Sequence, residues 1–503
     1  MTPKKQPLAL LLGGISILFI LLIAWKTTHT LDPDFGWHLR MGQLILHSGI
    51  PRTDPFSYTM PSYPFVDHEW LTNMSIALLY PKLNLTGLSI LFTLIAYSAL
   101  LIQIPIKQKK WVVIPLLLCI GTLSPYLGIR PQIISWLFFS FLISFFLHKN
   151  VWQKWRFILP LLFILWTNFH GGFALGIGLL GFFCLMQALE KKKIEFSNWF
   201  IFICSLLGTF INPYGYRIWW EIWMQLSDSS LRWSIQEWMP AFFFFNYFFI
   251  FLFALSVIII WTTKKHFSSF EFKLYILLLF FAVTSARNVP FWLIIALPMT
   301  TRAIAYFAKD ISSIRFAPQR FYKMYSICLF LIIAFITYQI SGSFYNTLSH
   351  KDDADFHYPD NAIQYIHTHP SLGNLFAPYD WGGYLIWKLP EKKVFIDGRM
   401  PSFRRTYAPS LESKYAFIEY RHIINGQTPF LNAVKKYHIT TVILPKTNLQ
   451  KKKKTTDILN NILHLHEPNI PYLIVQMKQL GFREVYKDNI AVVYMSLTPH
   501  LSQ

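Results

Sequence analysis

Three short runs near the start of the chain carry the side chains best suited to chemistry. They are Asp32-Pro33-Asp34-Phe35-Gly36-Trp37-His38-Leu39, then Asp54-Pro55-Phe56-Ser57, then Asp67-His68-Glu69-Trp70-Leu71. Carboxylates accept protons or hold cations, and histidines beside them pass a proton or donate a hydrogen bond. Further on, Arg130 precedes Pro131-Gln132, Asn168 and His170 precede Gly171-Gly172, Asn212 precedes Pro213-Tyr214, and Arg287-Asn288 leads to Pro290. Guanidinium groups grip anionic oxygens in pairs and stay charged beside lipid. Taken singly, Asp32 and Asp34 end a helix in water, and each later group is a cap or a snorkelling side chain. Their recurrence beside apolar runs fits a polar cavity, because polar groups next to hydrocarbon are expensive.

The elements that must position these groups lie largely in a membrane. Of 503 residues, 53% are hydrophobic and 14% charged, which excludes an ordinary soluble globule and a disordered or collagen-like chain. About 11 runs read as spans, near 8 to 25, 85 to 104, 111 to 128, 131 to 147, 156 to 168, 172 to 189, 197 to 211, 241 to 262, 273 to 286, 289 to 308 and 323 to 341. Those at 156, 197 and 273 provide only roughly 20 Å of helix, so breaks or extensions are expected there. Residues 1 to 25 resemble a signal peptide, but no small-residue cleavage pattern precedes Trp25-Lys26, and the run reads as a retained anchor.

Placing the N-terminus in the cytoplasm puts 19 basic residues on the inner side and 8 on the outer side up to residue 341. The positive-inside rule is satisfied. The net charge of +21 is therefore mostly topology, and no nucleic-acid partner is expected. The polar groups above all fall at outward ends. Residues 1–341 read as the transmembrane domain, with a long first exterior loop at 26–84, and residues 342–503 as a soluble domain outside the cytoplasm. Within the loop, 69 to 81 reads as a helix on the membrane surface, with Trp70, Leu71, Met74, Leu78 and Leu79 on one face. The C-terminal part alternates short strands (374 to 377, 393 to 397, 440 to 444, 491 to 495) with helices (361 to 367, 429 to 437, 471 to 480), a small α/β domain. Lys451 to Lys454 reads as a solvated loop. Cys119, Cys184, Cys204 and Cys328 all lie in expected spans, so the exterior domain has no disulfides and no metal-binding cysteine pair.

These residues are familiar as a set. With many spans, a long first exterior loop, an Asp-x-Asp (Asp32 to Asp34) after the first span and a soluble domain after the last, the chain resembles the GT-C superfamily of integral-membrane glycosyltransferases. More narrowly, it is similar to a group of bacterial membrane proteins sharing D-x-D-x-x-W-H-L (Asp32 to Leu39), D-P-F-S (Asp54 to Ser57), H-E-W-L (His68 to Leu71), N-x-H-G-G (Asn168 to Gly172), G-G-Y-L-I-W (Gly382 to Trp387) and F-I-D-G-R (Phe395 to Arg399). Asp380-Trp381-Gly382-Gly383-Tyr384 also resembles the W-W-D-Y-G run of oligosaccharyltransferase catalytic subunits, without the two leading tryptophans.

The resemblance implies a multi-pass α-helical GT-C-like membrane protein of the plasma (inner) membrane with a C-terminal extracytoplasmic α/β domain. It would move a sugar from a polyprenyl-phosphate-linked donor to a lipid, glycan or protein acceptor. Such transfer needs a base for the acceptor hydroxyl and a cationic or donor-rich site for the departing phosphate. Asp34 is the expected base, with Asp32 as alternate; Arg130, Arg287, His170 and His38 are the expected donor-phosphate ligands. Asp67, His68, Glu69, Asp380, Tyr384, Asp397 and Arg399 are expected acceptor or accessory groups. Asp67 and Glu69 could instead hold a divalent metal ion with Asp34; otherwise no cofactor is required. Two other readings compete: a transporter of a lipid-linked or polar substrate, and a non-catalytic scaffold. The clustering of polar groups at outward ends and the lack of a visible inverted repeat weigh against the transporter.

Overall fold

The computed structural model describes Gly14 and residues 31–314, 316–349, 358–446 and 470–496. Apart from Gly14, the expected first span at 8 to 25 lies outside the described residues, as does the Lys451 to Lys454 run. The chain forms two compact units. One contains Leu83–Trp219 and Ser230–Asn346; the other contains His29–Lys82, Trp220–Ser229 and Thr347–Gln503. The first exterior loop, grouped by sequence with the membrane half, thus clusters with the C-terminal segment.

The first unit is a set of apolar helices, which the helix Trp70–Leu101 joins from Leu83 onward. Trp70–Leu101, Phe173–Lys191, Ala286–Asp310 and Pro318–Gln339 are long and apolar enough to cross a membrane, and Gln132–Leu147 with Lys149–Phe169 makes a fifth if that pair, bent by 107°, is one span. Val113–Leu123, Phe196–Gly208, Tyr247–Thr262 and Ser269–Thr284 coincide with expected runs but have 11 to 16 residues, short of the roughly 20 that a full crossing takes. The helix Val289–Asp310 is the most buried of the long ones: every residue from Val289 to Thr301 is buried, and 72% of the apolar window of the span Ala286–Asp310 is inside the protein. For Pro318–Gln339 the share is 11%, as expected of a helix whose surroundings are lipid. Ser269–Thr284 starts at a capping box between Ser268 and Glu271, and Glu271 also pairs with Arg302 at 2.7 Å. The surface helix expected at 69 to 81 and the span expected at 85 to 104 are joined as Trp70–Leu101, with a kink at Asn84 (φ 54°) three residues after Pro81.

The second unit is built on a four-stranded sheet of β1 (Asn374–Phe376), β2 (Ile439–Pro445), β3 (Phe482–Lys487) and β4 (Ala491–Ser496), in the order β1-β2-β4-β3. β1 and β2 are parallel; β2 with β4 and β4 with β3 are antiparallel. β-Branched Ile439, Thr440, Thr441, Val442 and Ile443 make β2 the natural interior strand. β3, absent from the sequence reading, has Arg483, Glu484 and Lys487 exposed, the pattern of an edge strand. The helices Asp360–Thr368, Phe430–Tyr437 and Ile470–Gln479 stand where expected, and Gly382–Lys388 and Ala416–Ile424 add two more.

The strand expected at 393 to 397 is a correction. That segment makes a single parallel bridge, Val394 with Ser57 of the first loop. Val394 N–H donates to the Phe56 carbonyl (3.0 Å), Tyr58 N–H to the Val394 carbonyl (3.1 Å), and Ser413 N–H to the Thr59 carbonyl (2.8 Å). The Thr59 hydroxyl donates to the Phe395 carbonyl (2.7 Å). Alternation predicted a ladder within the C-terminal sequence, whereas the partner comes from a segment more than 300 positions earlier.

Candidate functional site

Asp34 stands at the N-terminus of the helix Phe35–Ser48. The Asp32 carboxylate accepts from the Asp34 N–H (2.9 Å), and the Asp32 carbonyl accepts from Phe35 N–H (3.1 Å), a local turn that sets the start of the helix. The Asp34 carbonyl takes the first intrahelical bond, from His38 N–H (3.1 Å). Its side chain does not cap the helix; instead Oδ1 accepts from the Trp37 indole N–H at 3.0 Å. A carboxylate there is favoured by the helix dipole.

Next to it lies the Asp397-Gly398-Arg399 turn. The Arg399 guanidinium is buried, with Nη1 2.7 Å from Asp54 Oδ1 and Nη2 2.6 Å from Asp397 Oδ2. Nε donates to Asp397 Oδ1 at 2.7 Å, and the Arg399 N–H donates to that same oxygen at 3.0 Å. Phe56 and Phe65 lie 4.9 and 5.2 Å from the guanidinium, Trp37 and Phe403 5.9 Å each. Asp54 in turn accepts from Phe56 and Ser57 N–H (3.2 and 3.1 Å). Two carboxylates and four rings make this burial affordable, since a lone buried cation would cost several kcal/mol. Burial pulls the Arg399 pKa down, but Asp397 and Asp54 outweigh it and hold the guanidinium above its usual range.

A second buried chain runs behind the helix. His38 Nδ1 is 2.7 Å from Asn73 Oδ1, and the Asn73 amide donates to Asp67 Oδ2 at 2.9 Å. Because the amide faces its oxygen to His38, the ring proton sits on Nδ1 and Nε2 is the basic nitrogen of the neutral ring. Glu69 N–H donates to Asp67 Oδ1 (3.1 Å), and Glu69 Oε1 lies 3.8 Å from His38 Nδ1. Burial raises the Asp67 carboxyl to about 6, against the opposing pull of Asn73, Glu69 N–H and Arg399. His68 is half-buried beside them.

In the helical unit, Arg130 and Arg287 converge on Glu237, a residue that sequence reasoning passed over. Arg130 Nη1 pairs with Glu237 Oε1. The Arg287 guanidinium lies 5.4 Å from the Trp238 ring, and Ala286 N–H donates to the Met239 carbonyl (2.8 Å), which zips 237–239 to 285–288. Burial pushes the Glu237 carboxyl up, but Arg130 and Arg287 together hold it below the usual range. His170 accepts on Nδ1 from Gly172 N–H (2.9 Å) and sits 2.8 Å from the Ser135 hydroxyl, whose oxygen takes the Trp166 indole N–H (2.7 Å). Nδ1 is thus the acceptor, and the neutral ring carries its proton on Nε2, opposite to His38. Asn168 donates to the Ile164 and Ile211 carbonyls and Asn212 to those of Thr209 and Gly215, so both act as helix-end caps.

The structure therefore brings together Asp32, Asp34, His38, Asp67, Glu69, Asp397 and Arg399 in one unit, and in the other Arg130 with Arg287 at Glu237, while His170 is held by Ser135 and Gly172. Tyr384 does not join the first: its hydroxyl donates to Asp360 (2.5 Å) and its ring stacks on Tyr358 (4.1 Å). Asp380 is exposed in the turn Tyr379–Trp381. The Gly382-Gly383 pair serves close packing, since a Cβ on Gly382 would overlap the Ile396 carbonyl and one on Gly383 the Pro33 carbonyl. Among the described residues no three His, Cys, Asp or Glu side chains come close enough to hold a metal ion, so the Asp34, Asp67 and Glu69 set is not assembled as one cluster. Asp54, Asn73 and Glu237 were missed as site residues; only Asp54 had a signal, the D-P-F-S turn.

Apolar helices long enough to cross a membrane, a loop helix opening on Asp-x-Asp, and a small mixed sheet make up a fold that has a counterpart among solved structures. The crystal structure of ArnT from Cupriavidus metallidurans bound to undecaprenyl phosphate aligns with 99% of this chain and 100% of its own, with a TM-score of 0.50 and 10% sequence identity. At that identity the likeness is one of fold. No protein-family model matches the chain, and no curated protein matches it.

Proposed function

We propose that the protein transfers a sugar from a polyprenyl-phosphate donor to an acceptor hydroxyl on the extracytoplasmic side of the membrane, with Asp34 as base. The observation that carries this reading is the Asp34 carboxylate itself, set at a helix N-terminus by Asp32 and oriented by Trp37, in a chain of GT-C fold. In the reaction Asp34 takes the acceptor hydroxyl proton as the acceptor oxygen bonds to the anomeric carbon, and the bond from that carbon to the phosphate oxygen breaks. The electron pair leaves on polyprenyl phosphate. Arg130 and Arg287 supply the positive charge that this oxygen needs, and His170, with its proton on Nε2, is equipped to donate to it. Glu237 keeps the two arginines oriented. His38, with Nε2 basic, is better suited to accept a proton from the acceptor than to donate to phosphate. The amine terminus is cytoplasmic and the α/β unit extracytoplasmic on this reading.

The test is transfer by lipid-reconstituted protein from a panel of radiolabelled polyprenyl-phosphate sugars to native membrane extract. Wild type should form product and Asp34→Asn should lose at least 100-fold in turnover, roughly the contribution of general-base catalysis, while still binding donor. A chelator arm decides whether a divalent ion takes part. Donor binding without transfer from any member of the panel, or an Asp34→Asn variant as active as wild type, would overturn the proposal.

A further inference from the structure

We propose that the Asp397-Gly398-Arg399 turn positions the Asp34 carboxylate, so that the C-terminal segment is part of the transfer machinery rather than a cover over it. The inference rests on the reading of Asp34 as base.

Four observations carry it. A Cβ on Gly398 would collide with Asp34 Oδ1 and crowd Oδ2, so the carboxylate rests against the turn with Oδ1 foremost. Gly398 is not among the glycines of positive φ, so its backbone does not require glycine; the space taken by Asp34 does. Arg399 clamps the turn between Asp397 of its own segment and Asp54 of the first loop, which fixes the turn relative to the strand-like stretch 56–59. A Cβ on Gly36 would overlap the Gly383 carbonyl, and one on Gly383 the Pro33 carbonyl, so the Asp34 helix and the helix Gly382–Lys388 meet backbone to backbone. Trp37 pins the carboxylate through its indole while Gly398 bounds it within the same unit. A base held in this way is pre-oriented, and an error of about 1 Å in such a group costs roughly 100-fold in rate. Gly398 and Arg399 are on this account positioning residues; neither needs to touch substrate.

The test uses full-length, lipid-reconstituted protein. Gly398→Ala should lower kcat ~10- to 100-fold with donor KM unchanged and displace the acid limb of the kcat pH profile. Gly178→Ala, at a site with open space around it, should leave both as in wild type. The steric coupling is read separately by thermal melting: if Gly398→Ala lowers Tm, adding Asp34→Ala should restore it, because the added methyl group then occupies the vacated space. The inference is overturned if Gly398→Ala keeps wild-type kcat and pH profile while Asp34→Asn is inactive. A Tm loss in Gly398→Ala that persists unchanged with Asp34→Ala also overturns it. Full activity of Asp34→Asn is a different result, and removes the base assignment itself.

Discussion

Arg399 and Asp67 show how single buried charges are handled here, and each yields a prediction. Replacing Arg399 by Met leaves the Asp54 and Asp397 carboxylates buried without their cation. Removing one partner of such a network costs about 3 to 5 kcal/mol, so Arg399→Met should lower Tm sharply, and a melt within a degree or two of wild type would sink the assignment. Asp67 works in the opposite direction. Burial raises its carboxyl from 3.8 to about 6, so the folded state holds the proton more tightly than the unfolded chain. That contribution to stability is fully present below about pH 4 and is lost as pH rises through about 6, a change of about 3 kcal/mol for a shift of this size. Asp67→Asn keeps an acceptor for the Asn73 amide and removes the titration. Its Tm relative to wild type should therefore rise between pH 4.5 and pH 7.5, whereas a constant difference would refute the assignment. Sequence pattern singled out Asp34, Asp67 and Arg399, because carboxylates and arginines stand out in a chain that is 14% charged. It could not show that Arg399 serves as a clamp, because that role is defined by Asp54, which lies in another segment.

At the level of elements, close approach between helices does the positioning. Gly36 and Gly383 allow two helices to meet through their backbones, and a methyl at Gly36 would run into the Gly383 carbonyl with no flexible side chain to yield. Overpacking of this kind costs about 1 to 3 kcal/mol. Gly36→Ala should thus lower Tm by several degrees, and circular dichroism should show helix content retained; an unchanged melt would mean that the helices do not meet in this way. Long apolar or β-branched elements were legible: Val289–Asp310, Phe173–Lys191 and β2 all stand where periodicity and composition put them. β3 escaped because an edge strand with exposed Arg483, Glu484 and Lys487 has no apolar alternation to read. The stretch 393 to 397 was overread for the converse reason. Val394, Phe395 and Ile396 are strand-forming residues, but their hydrogen-bonding partner lies in the first loop, and no local pattern reports a partner at that distance.

For the whole molecule, the asymmetry of charge makes a prediction about sidedness. In a chain with its four free cysteines replaced, a cysteine at exposed Asn489 should react with an impermeant maleimide added to spheroplasts, and one at exposed Lys192 only after permeabilisation. The reverse pattern would invert the proposed orientation. The unit that holds Asp34 is also discontinuous, drawing on His29–Lys82, Trp220–Ser229 and Thr347–Gln503. That arrangement carries a consequence for biosynthesis. At roughly 5 to 20 residues per second, Asp54 waits on the order of 20 to 70 s after its own translation before Arg399 emerges to meet it. Until then the first loop has no clamp, no bridging strand and no turn to hold its carboxylate. A ribosome-bound chain can insert its helices while the proposed base still lacks its surroundings, and a nonsense truncation upstream of Asp397 leaves the Asp34 carboxylate without the turn that bounds it. On the proposed function, activity is a property that only chains translated past Arg399 acquire.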